Sequence, residues 1–184
     1  MLAAVVLAAG GGTRFEGDTP KLLAEWRGRP LASWAIRAAV DAAIGPVWVV
    51  TGAVDLSAAI PPGVSTLCNP RWAEGQATSL ATALREAYGQ GLQSLVVGLA
   101  DQPLVTADAW MAVAASTGPI AVATYGGTRA NPVMLAREVW DLLPITGDQG
   151  ARRLMASRPE LVVEVACDGN PADIDTMDDM RHIG

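Results

Sequence analysis

The sequence has one histidine, two cysteines, one lysine and one phenylalanine in 184 residues. These scarcities exclude much chemistry. His182 stands close to the C-terminal end, so Ser–His and Cys–His nucleophilic schemes lack a usable base. Cys68 and Cys167 are far apart and belong to no CxxC or Cys/His cluster. That is too few ligands for a zinc site and no disulfide framework, so the expectation is two reduced, half-buried thiols. The chain lacks positive charge, with a net −6, which excludes a general nucleic-acid surface and requires any anionic ligand to meet charge concentrated locally. No apolar run approaches membrane-spanning length. Leu2–Ala9 is short, follows no basic stretch and runs into Gly10-Gly11-Gly12-Thr13-Arg14, which is no cleavage site. The expectation is a cytoplasmic protein with neither nucleic-acid nor membrane partners.

About half of the residues are apolar, 51%, and the length suits one domain over residues 1–184. There is no internal repeat, and Ala58–Val64 is too short to separate domains. Ala3–Ala9 reads as a buried first strand ending in the glycine loop. A helix starting at Pro30 places Leu31, Trp34, Ala35, Ala38 and Ala42 on one face. Val47–Gly52 and Val64–Pro70 read as strands, and Gly75–Tyr88 as a helix with Leu80, Ala83, Leu84 and Ala87 inward. Gln93–Pro103 is a buried strand ending in Asp101, and Thr106 can N-cap a helix through Ala115. Then come a strand at Ile120–Tyr125, the segment Asn131–Leu143, a helix beginning near Asp148, a strand at Leu161–Ala166 and an acidic tail. Strands alternating with helices predict an α/β fold, its mostly parallel sheet covered on both faces.

A glycine-rich loop leaving the first strand lies at the carboxyl edge of such a sheet, where ligands bind. Glycine lets the backbone turn and lets a phosphate approach successive N–H groups. The loop is not GxGxxG, because Phe15 stands where the third glycine would be, nor a P-loop, because Lys21 follows Pro20. What remains is L-A-A-G-x-G-x-R followed by P-K. The one lysine of the chain sits just after it, and a compact ammonium suits a crowded phosphate site. A plain glycine turn and a solvated lysine are the simpler alternatives.

Asp101 ends a buried strand at the same edge, and Asp175 comes from the tail. Magnesium is held by one or two carboxylates plus phosphate oxygens, so two converging aspartates would suit it. Alternatively, Asp101 caps a turn at Pro103 and residues 173–179 form a solvated acidic tail.

The loop signature resembles that of nucleotidyltransferases acting on sugar phosphates, isoprenoid precursors and molybdenum cofactor. "NPRWAEGQATSL" (Asn69–Leu80), "LADQP" (Leu99–Pro103), "RANPV" (Arg129–Val133), "GDQGAR" (Gly147–Arg152) and "DIDT" (Asp173–Thr176) follow in one order. That series is similar to the molybdenum-cofactor cytidylyltransferases within the MobA-like family. The resemblance implies a three-layer Rossmann-like nucleotidyltransferase fold. It also implies magnesium-dependent cytidylyl transfer from CTP to the phosphate of molybdopterin, with transient contact to a molybdoenzyme or its maturation factor. By position it implies that Gly10, Gly11, Gly12, Thr13, Arg14 and Lys21 bind the triphosphate, with Lys21, Asp101 and Arg14 catalytic. Ala8, Ala9, Gly75 and Ser79 would line the base, and Asp101 and Asp175 would hold Mg2+. Gln102, Asn131, Asp148 and Arg152 would face the pterin-phosphate acceptor. For Asn131 a turn at Asn-Pro, and for Asp148 a helix cap, are structural alternatives.

Three departures stand out: Ala130 where the family often has glycine, Met177 where it commonly has proline, and "EGDTP" lengthening the path from Phe15 to Lys21. Relatives that transfer guanylate tend to have glycine at the position of Ala9, so this methyl favours a pyrimidine. One such contact is worth about 1–3 kcal/mol. The rival readings are guanylyl transfer from GTP, nucleotidyl transfer to another phosphorylated acceptor, and a non-catalytic molybdopterin carrier.

Overall fold

A computed structural model describes every residue except 14, 17 and 184. In chain order the elements are β1 (Leu2–Ala8), the short hairpin β2 (Glu25–Trp26) and β3 (Arg29–Pro30), α1 (Leu31–Asp41), β4 (Val47–Thr51) and β5 (Ser65–Cys68). They continue with α2 (Gln76–Gly89), β6 (Ser94–Leu99), α3 (Ala107–Ala114), β7 (Ile120–Tyr125), β8 (Thr128–Ala136), α4 (Gly150–Ser157), β9 (Val162–Ala166) and α5 (Met177–His182). Seven strands form one sheet in the order β5-β4-β1-β6-β8-β7-β9. Only β8 runs against the others.

β1 shows why the sheet is covered twice. Ala4, Val6 and Ala8 face a core shared with α1 and α3, while Ala3, Val5 and Leu7 face a core shared with α2 and α4. A strand buried on both faces needs apolar residues at every position, which explains its unbroken run. Gly98 in β6 leaves room for the Trp110 ring of α3; a Cβ there would stand 2.5 Å from Trp110 Cζ2. Among the described residues no helix is long and apolar enough to cross a membrane.

Several elements differ from the sequence reading. The buried face of α1 comprises Leu31, Ala32, Ser33, Ala35, Ile36 and Ala39. Trp34 and Ala38 are only partly buried. Trp34 instead meets Trp26 edge-on, centroids 5.4 Å apart, and donates its indole N–H to the Trp26 carbonyl at 3.0 Å. Cys68 is exposed rather than half-buried, because β5 is an edge strand; Cys167 is partly buried. Asn131-Pro132 starts no turn. It lies within β8 where the register with β7 slips: Val122 pairs with Val133 but Ala123 with Ala130. Proline, which lacks an N–H, is tolerated at such a bulge. The rest of Asn131–Leu143 is a 3-10 segment, Arg137–Leu142. Thr106 does cap α3, accepting from the Ala109 N–H at 3.2 Å.

Gly98→Ala drives a methyl into the Trp110 ring and is expected to cost about 1–3 kcal/mol in urea unfolding. Gly89→Ala, at the end of α2 with open space around the new methyl, is expected to gain up to about 1 kcal/mol. Equal effects of the two would contradict this account of the packing.

Candidate active site

From β1 the chain builds β4 and β5 on one side, then crosses through α2 to place β6 on the other side of β1. The boundary between β1 and β6 is therefore a topological switch point, whose carboxyl edge opens into a crevice. The Leu7 carbonyl accepts from the Ala100 N–H at 3.1 Å, which holds the two strand ends together.

On one side of this edge is a cavity of about 410 Å³. Ala8, Ala9, Gly10, Gly11, Gly12, Thr13, Lys21, Gly75, Ser79 and Asp101 all line it. Arg14 lies outside the described residues. Gly12 has φ +60°, and a Cβ there would stand 2.8 Å from Lys21 Cβ. The root of the lysine side chain is thus pressed against the glycine loop despite the long "EGDTP" link. A 3-10 turn, Lys21–Leu23, with Leu22 buried, fixes that position. Gly10 has nothing within 4 Å of a would-be Cβ, so its backbone is open to close approach.

The opposite wall comes from the start of α2. Asn69, 2% exposed, donates through Nδ2 to Thr78 Oγ1 and Ser79 Oγ, both at 2.9 Å, and accepts from the Arg71 N–H. This network folds residues 69–75 against the helix and sets Trp72 beside Gly11. Gly75 has φ +104°, and a Cβ there would meet the Gly147 carbonyl carbon at 2.5 Å. Only glycine admits that approach, in which the Ala77 N–H donates to the Gly147 carbonyl at 2.9 Å. Docking in this way brings Asp148 to the same cavity as the glycine loop, apart from Gln102, Asn131 and Arg152. Asp148 does not cap α4, whose N-cap is Gln149 without a side-chain cap bond.

The two distant aspartates meet at one cation. Lys21 Nζ lies 2.8 Å from Asp101 Oδ2 and 3.1 Å from Asp175 Oδ1. Burial lowers the lysine pKa, but the charges and hydrogen bonds of Asp101 and Asp175 outweigh it and leave the pKa above its ordinary value. Asp175 is delivered by its neighbour Ile174, which is fully buried against Trp26 and Leu31 and donates its N–H to the Asp101 carbonyl at 2.9 Å. Both carboxylates thus reach one point from remote segments, an arrangement that could also hold a shared divalent ion. Among the described residues no group of three or more His, Cys, Asp or Glu could hold an ion. The remaining ligands would have to be water and phosphate oxygens, as is usual for magnesium.

On the other side lies a second cavity of about 380 Å³, lined by Gln102, Asn131, Arg129, Ala130, Arg152 and Asp173 above an apolar floor. Gln102, 3% exposed, receives Asn131 Nδ2 on Oε1 at 3.0 Å. It donates through Nε2 to the Pro171 carbonyl at 2.9 Å and to Asp173 Oδ1 at 2.8 Å. The two cavities share Leu7, Gln76 and Leu99 and so adjoin over the ends of β1 and β6. Sequence reasoning singled out none of Trp72, Gln76, Arg129 and Asp173 as site residues. The signal was present, since the first three lie in or beside quoted motifs and Asp173 opens "DIDT".

Comparison with known proteins identifies a family and several similar chains. The MobA-like NTP transferase domain family matches residues 4–162. Rv0371c from Mycobacterium tuberculosis H37Rv superposes with a TM-score of 0.84 at 29% identity, over 99% of this chain and 96% of that one. A manganese complex of Rv0371c superposes with a TM-score of 0.81 at 27% identity, over 99% and 97% of the two chains. The purine catabolism protein PucB of Bacillus subtilis is 29% identical over 190 residues, 95% of this chain and 92% of PucB. The bifunctional protein GlmU of Anaeromyxobacter dehalogenans is 38% identical over 118 residues, 61% of this chain. This chain spans only 24% of that protein's length.

Asp173 keeps solvent contact, but partial desolvation beside Gln102, reinforced by the charge of Asp101, raises its pKa from the ordinary 3.8. The folded protein thus binds that proton more tightly than the unfolded chain, and stability falls as pH rises through the window above 3.8. Asp173→Asn removes this loss. Its melting temperature relative to wild type is expected to be higher at pH 7 than at pH 3.5; a pH-independent difference would refute the assignment.

Proposed function

The chain belongs to the MobA-like NTP transferase family, and from that premise we propose that it transfers a cytidylyl group from CTP to the phosphate of molybdenum cofactor. The carrying observation is the pair of adjoining cavities, one walled by the glycine loop and Lys21, the other by Gln102, Asn131 and Arg152. A two-substrate transfer needs that division. In this reading residues 1–184 act as one cytoplasmic nucleotidyltransferase unit that hands its product to a molybdoenzyme or its maturation factor.

The backbone N–H groups of Gly10 to Thr13 donate to triphosphate oxygens, and Lys21 and Arg14 supply positive charge. Ala8, Ala9, Gly75 and Ser79 border the base, where the Ala9 methyl leaves room for cytosine. Asp101 and Asp175 would hold Mg2+, which neutralises phosphate charge and polarises the α-phosphoryl group; a relative crystallised with manganese is in keeping with a divalent ion. Gln102, Asn131 and Arg152 orient the acceptor so that its phosphate oxygen faces the α-phosphorus. That oxygen forms the new P–O bond as the bond to the bridging oxygen of the β-phosphate breaks, and pyrophosphate leaves with the electron pair. A phosphate monoester is already anionic near neutral pH, so no general base is required. A chain whose single histidine lies exposed near its end can carry this out by positioning and charge stabilisation.

The test is pyrophosphate release from CTP and, separately, from GTP, with magnesium and molybdenum cofactor. Release with CTP is expected, and Asp101→Ala should lower it about 10³-fold or more while the fold survives. Release with GTP alone would overturn the reading of Ala9. Cofactor binding without pyrophosphate from either nucleotide would favour a carrier.

Arg152→Ala is expected to raise the acceptor KM with little change in kcat, the pattern of lost ground-state binding. A fall in kcat at unchanged KM would place Arg152 at the reacting groups instead.

A further inference from the structure

We infer that Lys21 is a built-in counter-ion that keeps the seat of the divalent ion closed until nucleotide arrives, so that metal enters with the nucleotide and not before it. The inference rests on the magnesium reading above and concerns the order in which the charges assemble.

The Lys21 ammonium stands between Asp101 and Asp175, 2.8 and 3.1 Å from the two carboxylates. Its side chain is 10% exposed, against 23% and 29% for its partners. A divalent ion arriving alone would have to displace this ammonium from two charge-assisted hydrogen bonds. It would also leave a mostly buried ammonium without these carboxylate partners, which is costly. Nor would the ion find a full set of protein ligands, since the described residues offer no cluster of three or more. Nucleotide phosphates remove both obstacles. They supply oxygens to the ion, and they give the ammonium a new anionic partner beside the glycine loop, against which the root of the Lys21 side chain already rests. The lysine then turns from the carboxylates to the phosphates as the ion takes its place.

Two measurements test this. The first is Mn2+ binding without nucleotide, read from the electron paramagnetic resonance of the free ion. Lys21→Met and Lys21→Gln are each expected to bind Mn2+ about ten-fold or more tightly than wild type. The double variant Lys21→Met/Asp175→Asn should lose that gain. Equal or weaker binding by a variant that still melts cooperatively would overturn the inference.

The second measurement uses the wild-type protein and needs no variant to fold. Because the chain has one lysine, 13C-lysine labelling gives a single side-chain Cε resonance. Millimolar Mg2+ alone should leave it in place, and Mg2+ with CTP should move it. A shift with Mg2+ alone would overturn the inference. Failure of CTP to bind would instead count against the proposed reaction, leaving the metal-only comparison to decide the role of Lys21.

Discussion

One ammonium joins three parts of the chain that are remote in sequence: Lys21 bonds Asp101 80 residues away and Asp175 154 residues away. Without a cation between them, the two partly buried carboxylates would repel each other where the sheet edge brings them together. Much of the surrounding structure serves to hold this meeting in place. β6 ends beside β1 and presents Asp101; the 3-10 turn with buried Leu22 presents Lys21; and buried Ile174 presents Asp175. Each of these supports is apolar packing or backbone hydrogen bonding. The charged groups themselves contribute arrangement more than net stability.

The parts of the fold legible in the sequence were those fixed by short-range pattern. The unbroken apolar runs of β1 and β6 announce strands buried on both faces, and the inward set of α2 follows from its period. The α1 face was harder to read, because two tryptophans pair with each other at its margin, and a tryptophan at helical spacing does not disclose its partner. The bulge at Asn131 was hidden for a related reason: Asn-Pro is a turn signal locally, and only pairing with β7 turns it into a strand irregularity.

The site followed the same division. Residues attached to the glycine loop and to the strand ends lie where the sheet topology must carry them. Asp148 does not, because its position depends on the Gly147 carbonyl docking onto the start of α2 through a contact that only Gly75 permits. Trp72 likewise takes its place from the buried hydrogen bonds of Asn69. Such contacts between remote segments have no periodic trace, so spacing could name the motif that contains these residues but not the cavity each would face.

The tail shows how little sequence is needed to serve both cavities once a single residue is pinned. Side chains of an extended segment alternate in direction, so fixing Ile174 between Trp26 and Leu31 sends its two neighbours into the site. Asp173 goes to Gln102 at the wall of one cavity, and Asp175 goes to Lys21 at the wall of the other. The capping box of α5, in which Asp179 also receives the Asp175 N–H at 3.0 Å, stops the segment from sliding. A slip of one residue would bury an aspartate where Ile174 now sits and withdraw both carboxylates together. The acidic run is therefore more than a solvated tail: on either side of buried Ile174 it gives one carboxylate to Gln102 and the other to Lys21.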